Sequence, residues 1–363
     1  MKKRNIVIIS AIVCVLVIVT LITYFQGRQT STFKQDFHIE DISTVTKIFI
    51  ADKNNHQVLL TKNAGAPTDS SWKVDNKYLA STPLVDLLLE TLNDMRIRQI
   101  VNKKAVPNVI KNLAASNIKV EVYQEKPLIN WFNGKVRLFS REKLTQTYYV
   151  GHETQDMLGS YMLREGDKEP YIIHIPGFRG FLTPRFVADP LAWRSHRIVD
   201  LDVNEIKSIS LEITDMPTES FAIHNIGNDF QMELTHTHQI LNGFDTAKVA
   251  TFLSSFTNLN FDEYAQAVPK AELDTTFART PKTILRITDT LNRTREVKTY
   301  LKYSNPDDIV NMPDTTMYQV FDLDRLYAVV DESDTVLIQY YVFDNILQPA
   351  SYFIGSSKKS IAK

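Results

Sequence analysis

Polar and apolar residues alternate through Lys47-Ile48-Phe49-Ile50-Ala51, and the chain then enters the turn cluster Asp52-Lys53-Asn54-Asn55. Alternation with a period of two marks a strand with one face buried. Val58-Leu59-Leu60 and Trp72-Lys73-Val74 follow, so the pattern predicts a three-stranded antiparallel meander with short turns. The period then changes. Leu84, Val85, Leu88, Leu89 and Leu92 fall at helical spacing behind Ser81, whose hydroxyl suits a helix N-cap. That stripe is too narrow for a helix buried all round. It predicts a helix lying on one face of the sheet. Val120 and Val122 alternate with Lys119 and Glu121, and Thr147–Val150, Ser160–Leu163 and Tyr171–Ile175 read as a second meander.

The same series returns further along. Val45, Ile48 and Ile50 are answered by Ile206, Ile209 and Leu211. Ser81-Thr82 with Val85, Leu88, Leu89, Leu92 and Met95 is answered by Asp245-Thr246 with Val249, Phe252, Leu253, Phe256 and Leu259. Ala105-Val106-Pro107 recurs as Ala267-Val268-Pro269, and Leu285 and Ile287 answer Val120 and Val122. Thr299–Leu301, Met317–Phe321 and Leu326–Val330 stand in for the later strands. A steady offset over such a span predicts duplication of one folding unit. The expected architecture is α+β: two tandem related repeats, each of antiparallel β meanders with a covering helix. Residues 45–197 would form the first repeat and 198–350 the second, with Asp189 to Arg197 at the junction, a tether over 29–44 and a tail over 351–363.

The N-terminus sets the expected location. Lys2, Lys3 and Arg4 precede a run from Ile6 to Phe25 without charge, Pro or Gly. Twenty helical residues span about 30 Å, the thickness of a bilayer's hydrocarbon core. The basic cluster predicts a cytoplasmic start, so residues 1–28 would hold an inner-membrane anchor and the remainder would lie on the periplasmic side. A cleaved signal peptide would have a shorter apolar region and a small-x-small site after it; Leu21-Ile22-Thr23-Tyr24-Phe25-Gln26 has none. Cys14, the single cysteine, falls inside the run, which leaves the outer region without disulfides.

Charge changes the picture little. Lys2, Lys3, Arg4 and Arg28 are the only charged residues up to position 28, so of 41 basic and 42 acidic residues the outer region keeps 37 and 42, a net −5. A nucleic-acid binder ordinarily carries a basic excess, so that class is not expected.

Candidate chemistry is sparse. His236-Thr237-His238 could place two imidazoles on one strand face, with His224 twelve residues away, but a polar loop explains the pair as well. Asp322, Asp324, Asp331, Glu332 and Asp334 lack the glycine of a calcium loop and read as turn residues and a helix N-terminus. Gly159-Ser160 and Gly355-Ser356 are bare dipeptides rather than Gly-x-Ser-x-Gly, and no phosphate-cradling Gly-x-x-x-x-Gly-Lys-Ser/Thr run occurs. No cofactor, metal or catalytic group is expected. The candidate interaction surface is Phe178, Arg179, Phe181, Trp193 and Arg194, because arginine beside aromatics is enriched where proteins bind one another. The alternative is structural: Phe181, Phe186 and Trp193 would plug the seam between repeats, with Arg179 paired to a carboxylate.

Several of these runs resemble one family. Thr46 to Lys53, Trp72-Lys73-Val74, Leu87 to Leu92, His174-Ile175-Pro176-Gly177-Phe178-Arg179-Gly180-Phe181-Leu182-Thr183-Pro184-Arg185-Phe186 and Trp193-Arg194 are similar to the bacterial domain-of-unknown-function family 4340, best from Thr46 to Ile213. The single-anchor form resembles the Bacteroidetes type. That family carries no established activity and no catalytic residues. The resemblance implies an envelope or ABC-transport accessory role, since such relatives are often encoded beside ABC-type transport genes of the gliding-associated kind. The expected function is therefore non-catalytic binding to a membrane or envelope protein, with an envelope-polymer hydrolase and a structural tethering module as alternatives.

Overall fold

The computed structural model describes residues 37–63, 72–131, 136–227, 229–304 and 321–354, together with Val13, Val15 to Val17 and Val19. It divides between Ser195 and His196 into two compact units.

The first unit is built on a nine-stranded antiparallel sheet. Its strands are β1 (Val45–Ala51), β2 (Gln57–Lys62), β3 (Trp72–Val74), β4 (Tyr78–Leu79), β5 (Arg96–Ile100), β6 (Ile118–Trp131), β7 (Val136–Glu153), β8 (Ser160–Arg164) and β9 (Tyr171–His174). Their spatial order is β4-β3-β2-β1-β6-β7-β8-β9-β5. Burial follows the alternation of the sequence: Ile48, Ile50, Val58, Leu60, Val120, Val122, Tyr148 and Val150 are all buried on one face. Helix α1 (Thr82–Asp94) covers that face with Val85, Leu88 and Leu92. Leu84, expected in the stripe, is 41% exposed, and the buried row runs instead through Val85, Leu88, Thr91, Leu92 and Met95. Each fully buried aliphatic side chain of this layer contributes about 1.5–3 kcal/mol.

The sequence pattern anticipates one covering helix, and the structure has a second. Helix α2 (Val106–Ser116) lies on the opposite face, where Val109 and Leu113 join Ile172 and Val101, with Tyr161 and Leu163 packed against them. Gly151 of β7 makes room for it. A Cβ there would sit 2.7 Å from Leu113 Cδ2. A short 3-10 turn, Ile42–Thr44, leads into β1, capped by the Asp41 carboxylate. The pairing of β1 with β6 slips by one residue between Val45 and Lys47, a β-bulge at Thr46.

The second unit has its own nine-stranded antiparallel sheet. Its members are β11 (Ile206–Ile213), β12 (Phe221–Asn225), β13 (Phe230–Leu234), β14 (Gln239–Leu241), β16 (Glu263–Tyr264), β17 (Thr283–Asp289), β18 (Thr294–Tyr303), β19 (Phe321–Val330) and β20 (Asp334–Gln339). They run in the order β14-β13-β12-β11-β17-β18-β19-β20-β16. A separate two-stranded sheet pairs β10 (Arg197–Val199) with β15 (Leu259–Asn260). Helix α3 (Thr246–Ser254) is capped by Asp245, whose carboxylate accepts from the amides of Ala247 and Lys248. It buries Val249, Phe252 and Leu253 against Ile209, Leu211 and Leu285. Helix α4 (Lys270–Phe277) takes the other face, packing Leu273 and Phe277 beside Tyr300, Tyr327 and Leu337. A 3-10 turn, Val203–Glu205, precedes β11 with a capping box between Asp202 and Glu205. Here too the first strand slips against its neighbour, between Ile206 and Ser208.

The expected anchor, residues 6–25, lies outside the described residues except for Val13, Val15, Leu16, Val17 and Val19, which are helical and exposed. Among the described residues no helix is long and apolar enough to cross a membrane. Cys14, Met317 to Val320, residues 29–36 of the expected tether and 355–363 of the expected tail also lie outside the described residues, whereas Phe37, Ile39 and Phe353, expected in tether and tail, are buried in the cores of the two units.

Candidate functional site

The segment from Gly177 to Ser195 leaves β9 and folds back over the sheet. Gly177 has φ +83°, a left-handed conformation that costs glycine nothing. Gly180 admits the Phe178 ring, whose Cε1 would stand 2.8 Å from a Cβ. Beyond it the segment is held to the sheet by hydrogen bonds. The Ser160 hydroxyl, fully buried in β8, accepts from the amides of Leu182 (2.8 Å) and Thr183 (3.2 Å). Thr183 Oγ1 in turn donates to the Gly151 carbonyl at 2.6 Å. Buried polar groups cost free energy unless paired, so these two hydroxyls fix where the segment lands.

Trp193 is 4% exposed and belongs to the core that helix α1 covers. Its indole Nε1 donates to the Val187 carbonyl at 2.8 Å, and its own carbonyl accepts from the Ser81 amide at 2.8 Å. Phe186 is fully buried in the same core. Arg194 lies over the Tyr78 ring at 3.7 Å. Phe181 is half-buried and Phe178 is 39% exposed. Arg179 is exposed and forms no ion pair among the described residues. Trp193 and Phe186 thus fill the first unit's own core. The arginine that does organise the segment is Arg185. Its Nη1 donates to Thr91 Oγ1 at 2.8 Å, and its guanidinium lies 4.6 Å from the centre of the Phe178 ring. Residues 91 and 185 are 94 positions apart, and no local pattern in the sequence joins them.

The histidines do not converge. His236 and His238 sit in the turn between β13 and β14, and the exposed His238 ring is 2.7 Å from Glu233 Oε1. His224 lies on β12 opposite Ser208. Among the described residues no group of three or more His, Cys, Asp or Glu could hold a metal ion.

The acidic cluster is taken up by a β-hairpin rather than a helix N-terminus. Asp331 and Glu332 form its turn with φ +50° and +58°. Asp331 pairs with Arg295 and accepts from the Glu296 amide, and Glu332 pairs with Lys298. Asp322 accepts from Lys302 at 2.8 Å and from the amides of Asp324 and Arg325. These contacts outweigh its burial and hold its carboxyl below the usual range.

The described residues also line concavities. A small one of about 130 Å³ in the second unit is lined by Thr214, Asp215, Arg279, Lys282 and Tyr300, among others. A larger one of about 710 Å³ lies along β6 and β7, between Gln124 and Pro127 on one strand and Arg141 and Gln146 on the other. Glu142 on its wall pairs with Lys47 and accepts from Thr46 Oγ1 at 2.7 Å, and those two partners lower its carboxyl pKa.

The family model for the domain of unknown function DUF4340 matches residues 72–277. The chain belongs to that family. The match begins at β3 of the first sheet and ends with helix α4 of the second unit, so it takes in strands and a covering helix of both. Comparison with curated proteins and with solved structures gave no match.

Proposed function

We propose that this chain is a membrane-anchored binding protein of the cell envelope, a non-catalytic accessory subunit of a transport or assembly complex, built by duplication of one folding unit. The observation that carries the binding reading is how the described polar side chains are used. His238 meets Glu233, Asp322 meets Lys302, Asp331 meets Arg295, and Ser160 anchors a loop. These groups satisfy turns, strand pairs and loop closures.

Four correspondences support duplication. The two nine-stranded sheets have the same strand order when β1 is read as β11. Asp41 and Asp202 each cap a 3-10 turn ahead of the first strand. That strand carries a bulge at Thr46 in one unit and at Lys207 in the other. Each sheet also has a helix on both faces. Bulges and caps are specific devices, and their coincidence at matching points is what a shared ancestor leaves behind.

The Ile6 to Phe25 run with Lys2, Lys3 and Arg4 ahead of it supports the anchor and a periplasmic placement of the rest. The link to ABC-type transport comes from the family resemblance alone. Affinity capture of the full chain from its native membrane in mild detergent tests the reading. An integral membrane protein should co-purify at fixed stoichiometry. Recovery of the chain alone after cross-linking in intact cells would contradict it.

A further inference from the structure

The β6–β7 hairpin runs past the sheet that holds it. β1 pairs with β6 only as far as Gln124, and β8 pairs with β7 only from Tyr148 onward. Beyond Gln124 and Lys143 the two strands, among the described residues, pair their backbones only with each other, through Lys126↔Arg141 and on to Trp131↔Val136, and the Glu142 side chain alone reaches back to Lys47 and Thr46 of β1. At about 3.4 Å per residue, Gln124 to Trp131 makes an arm of about 24 Å. A two-stranded ribbon in water is marginal by itself.

Its sequence makes that worse in water. From Glu125 to Lys143 five basic residues meet two acids, and Glu142 is already taken by Lys47, whereas the whole chain is net −1. Lys126 and Arg141 stand directly opposite one another, and Gln124 stands opposite Lys143 two rungs away on the same face. Like charges across a ladder are destabilising. Lys126, Arg141 and Lys143 are all exposed and have no acidic partner within ion-pair distance among the described residues. They line the groove of about 710 Å³ with Pro127 and Leu144. Phe139, two residues along from Arg141, is 72% exposed with φ +57°.

We propose that this basic, aromatic-bearing arm docks on the surface of an anionic phospholipid bilayer, with Lys126, Arg141 and Lys143 meeting the headgroup phosphates. This inference rests on the anchored reading. Charge complementarity is what points to lipid: unneutralised cations opposite one another are a cost in water and a gain at an anionic surface. Each Lys or Arg near such a surface strengthens binding about fivefold. From Phe25 to Phe37 the chain can span at most about 40 Å, which keeps the first unit within reach of the membrane that an anchor would occupy.

The test uses the full chain reconstituted into vesicles of phosphatidylcholine alone or of phosphatidylcholine with an equal amount of phosphatidylglycerol. Amide hydrogen exchange is then followed over residues 139–146. Slower exchange on the anionic vesicles, reversed by high salt and by the combined Lys126→Gln, Arg141→Gln and Lys143→Gln substitutions, is the expected result. Exchange at Ile48 to Ile50 reports that the substituted chain is folded. Equal exchange on both vesicles overturns the inference. Protection that appears only when native membrane proteins are added also overturns it, in favour of a protein partner. A carbonate wash separates the two claims. Chain lost from neutral vesicles sinks the anchor, while the exchange difference still decides the arm.

Discussion

The hydroxyl of Tyr148, fully buried in the middle of β7, donates to the carbonyl of Phe37 at 2.6 Å. The two rings are 5.5 Å apart, and Phe37 is itself fully buried. The first residue of the described domain is thereby fixed into the core of the sheet. Replacing Tyr148 with Phe leaves the Phe37 carbonyl buried without its donor, and should cost about 1–3 kcal/mol in urea unfolding with an unchanged slope. Burial also pushes the Tyr148 hydroxyl above the usual tyrosine range. A raised folded-state pKa gives stability that is full below the ordinary value of about 10 and is lost as pH rises through the raised one. Tyr148→Phe should therefore flatten part of the alkaline loss of stability.

Trp193 and Arg179 separate packing from interaction. Trp193→Ala removes a core indole and should cost about 3–5 kcal/mol. Arg179→Ala touches an exposed side chain and should change stability by no more than about 0.5 kcal/mol. If Arg179→Ala leaves the melting temperature unchanged but weakens co-purification with a membrane partner, the exposed part of the loop is an interface. Unchanged melting of Trp193→Ala would contradict the packing described above.

Arg185 should behave as a structural residue. Arg185→Gln breaks the hydrogen bond to Thr91 and the contact with Phe178, and should lower stability by about 1–3 kcal/mol. Faster amide exchange at Leu182 and Thr183 than in the parent chain is the accompanying signature. A change confined to a partner's affinity, with exchange unaltered, would contradict this role.

The caps offer a symmetrical experiment. Asp41→Ala and Asp202→Ala should each cost about 0.5–2 kcal/mol, with the loss read in the unit that carries the substitution. Amide exchange in β1 and β11 distinguishes them. Effects confined to one of the two would weigh against descent from a common unit.

Asp156 is the carboxylate to follow by titration. The Thr154 hydroxyl first, then the Leu158 amide and Arg98, hold its pKa at about 2. A depressed value gives stability that is present above the ordinary carboxylate range and lost as pH falls through about 2. Carbon-detected NMR should place its midpoint there, and Thr154→Val should raise it. A midpoint near 3.8 in the parent chain would show that the turn does not form as described.

Much of the architecture was legible because strands with one buried face alternate and the α1 stripe repeats at helical spacing. The helices after Ser81 and Asp245 begin where expected, but only the Asp245 carboxylate makes a capping hydrogen bond; the Ser81 hydroxyl makes none. Helix α2 was not read. It follows Ala105, a residue type that does not announce a helix start, and its burial rests on only Val109 and Leu113. Helix α4 is similarly short of apolar residues. The candidate loop was legible as a cluster of aromatics and arginine, but its division into core and surface was not. Trp193 is buried and Arg179 exposed because of contacts with Ser81, Val187 and the sheet, which lie up to about a hundred residues away in sequence. The arm of β6–β7 left a trace only in charge, and its projection follows from where β1 and β8 stop pairing.

Anchoring is the claim on which the proposed role depends most. The direct measurement is the intact mass of the chain recovered from the carbonate-washed membrane pellet of cells that express it. The account predicts a chain that retains the Ile6 to Phe25 run and stays in the pellet. A chain beginning between Gln26 and Gln35 and released into the soluble fraction would contradict it.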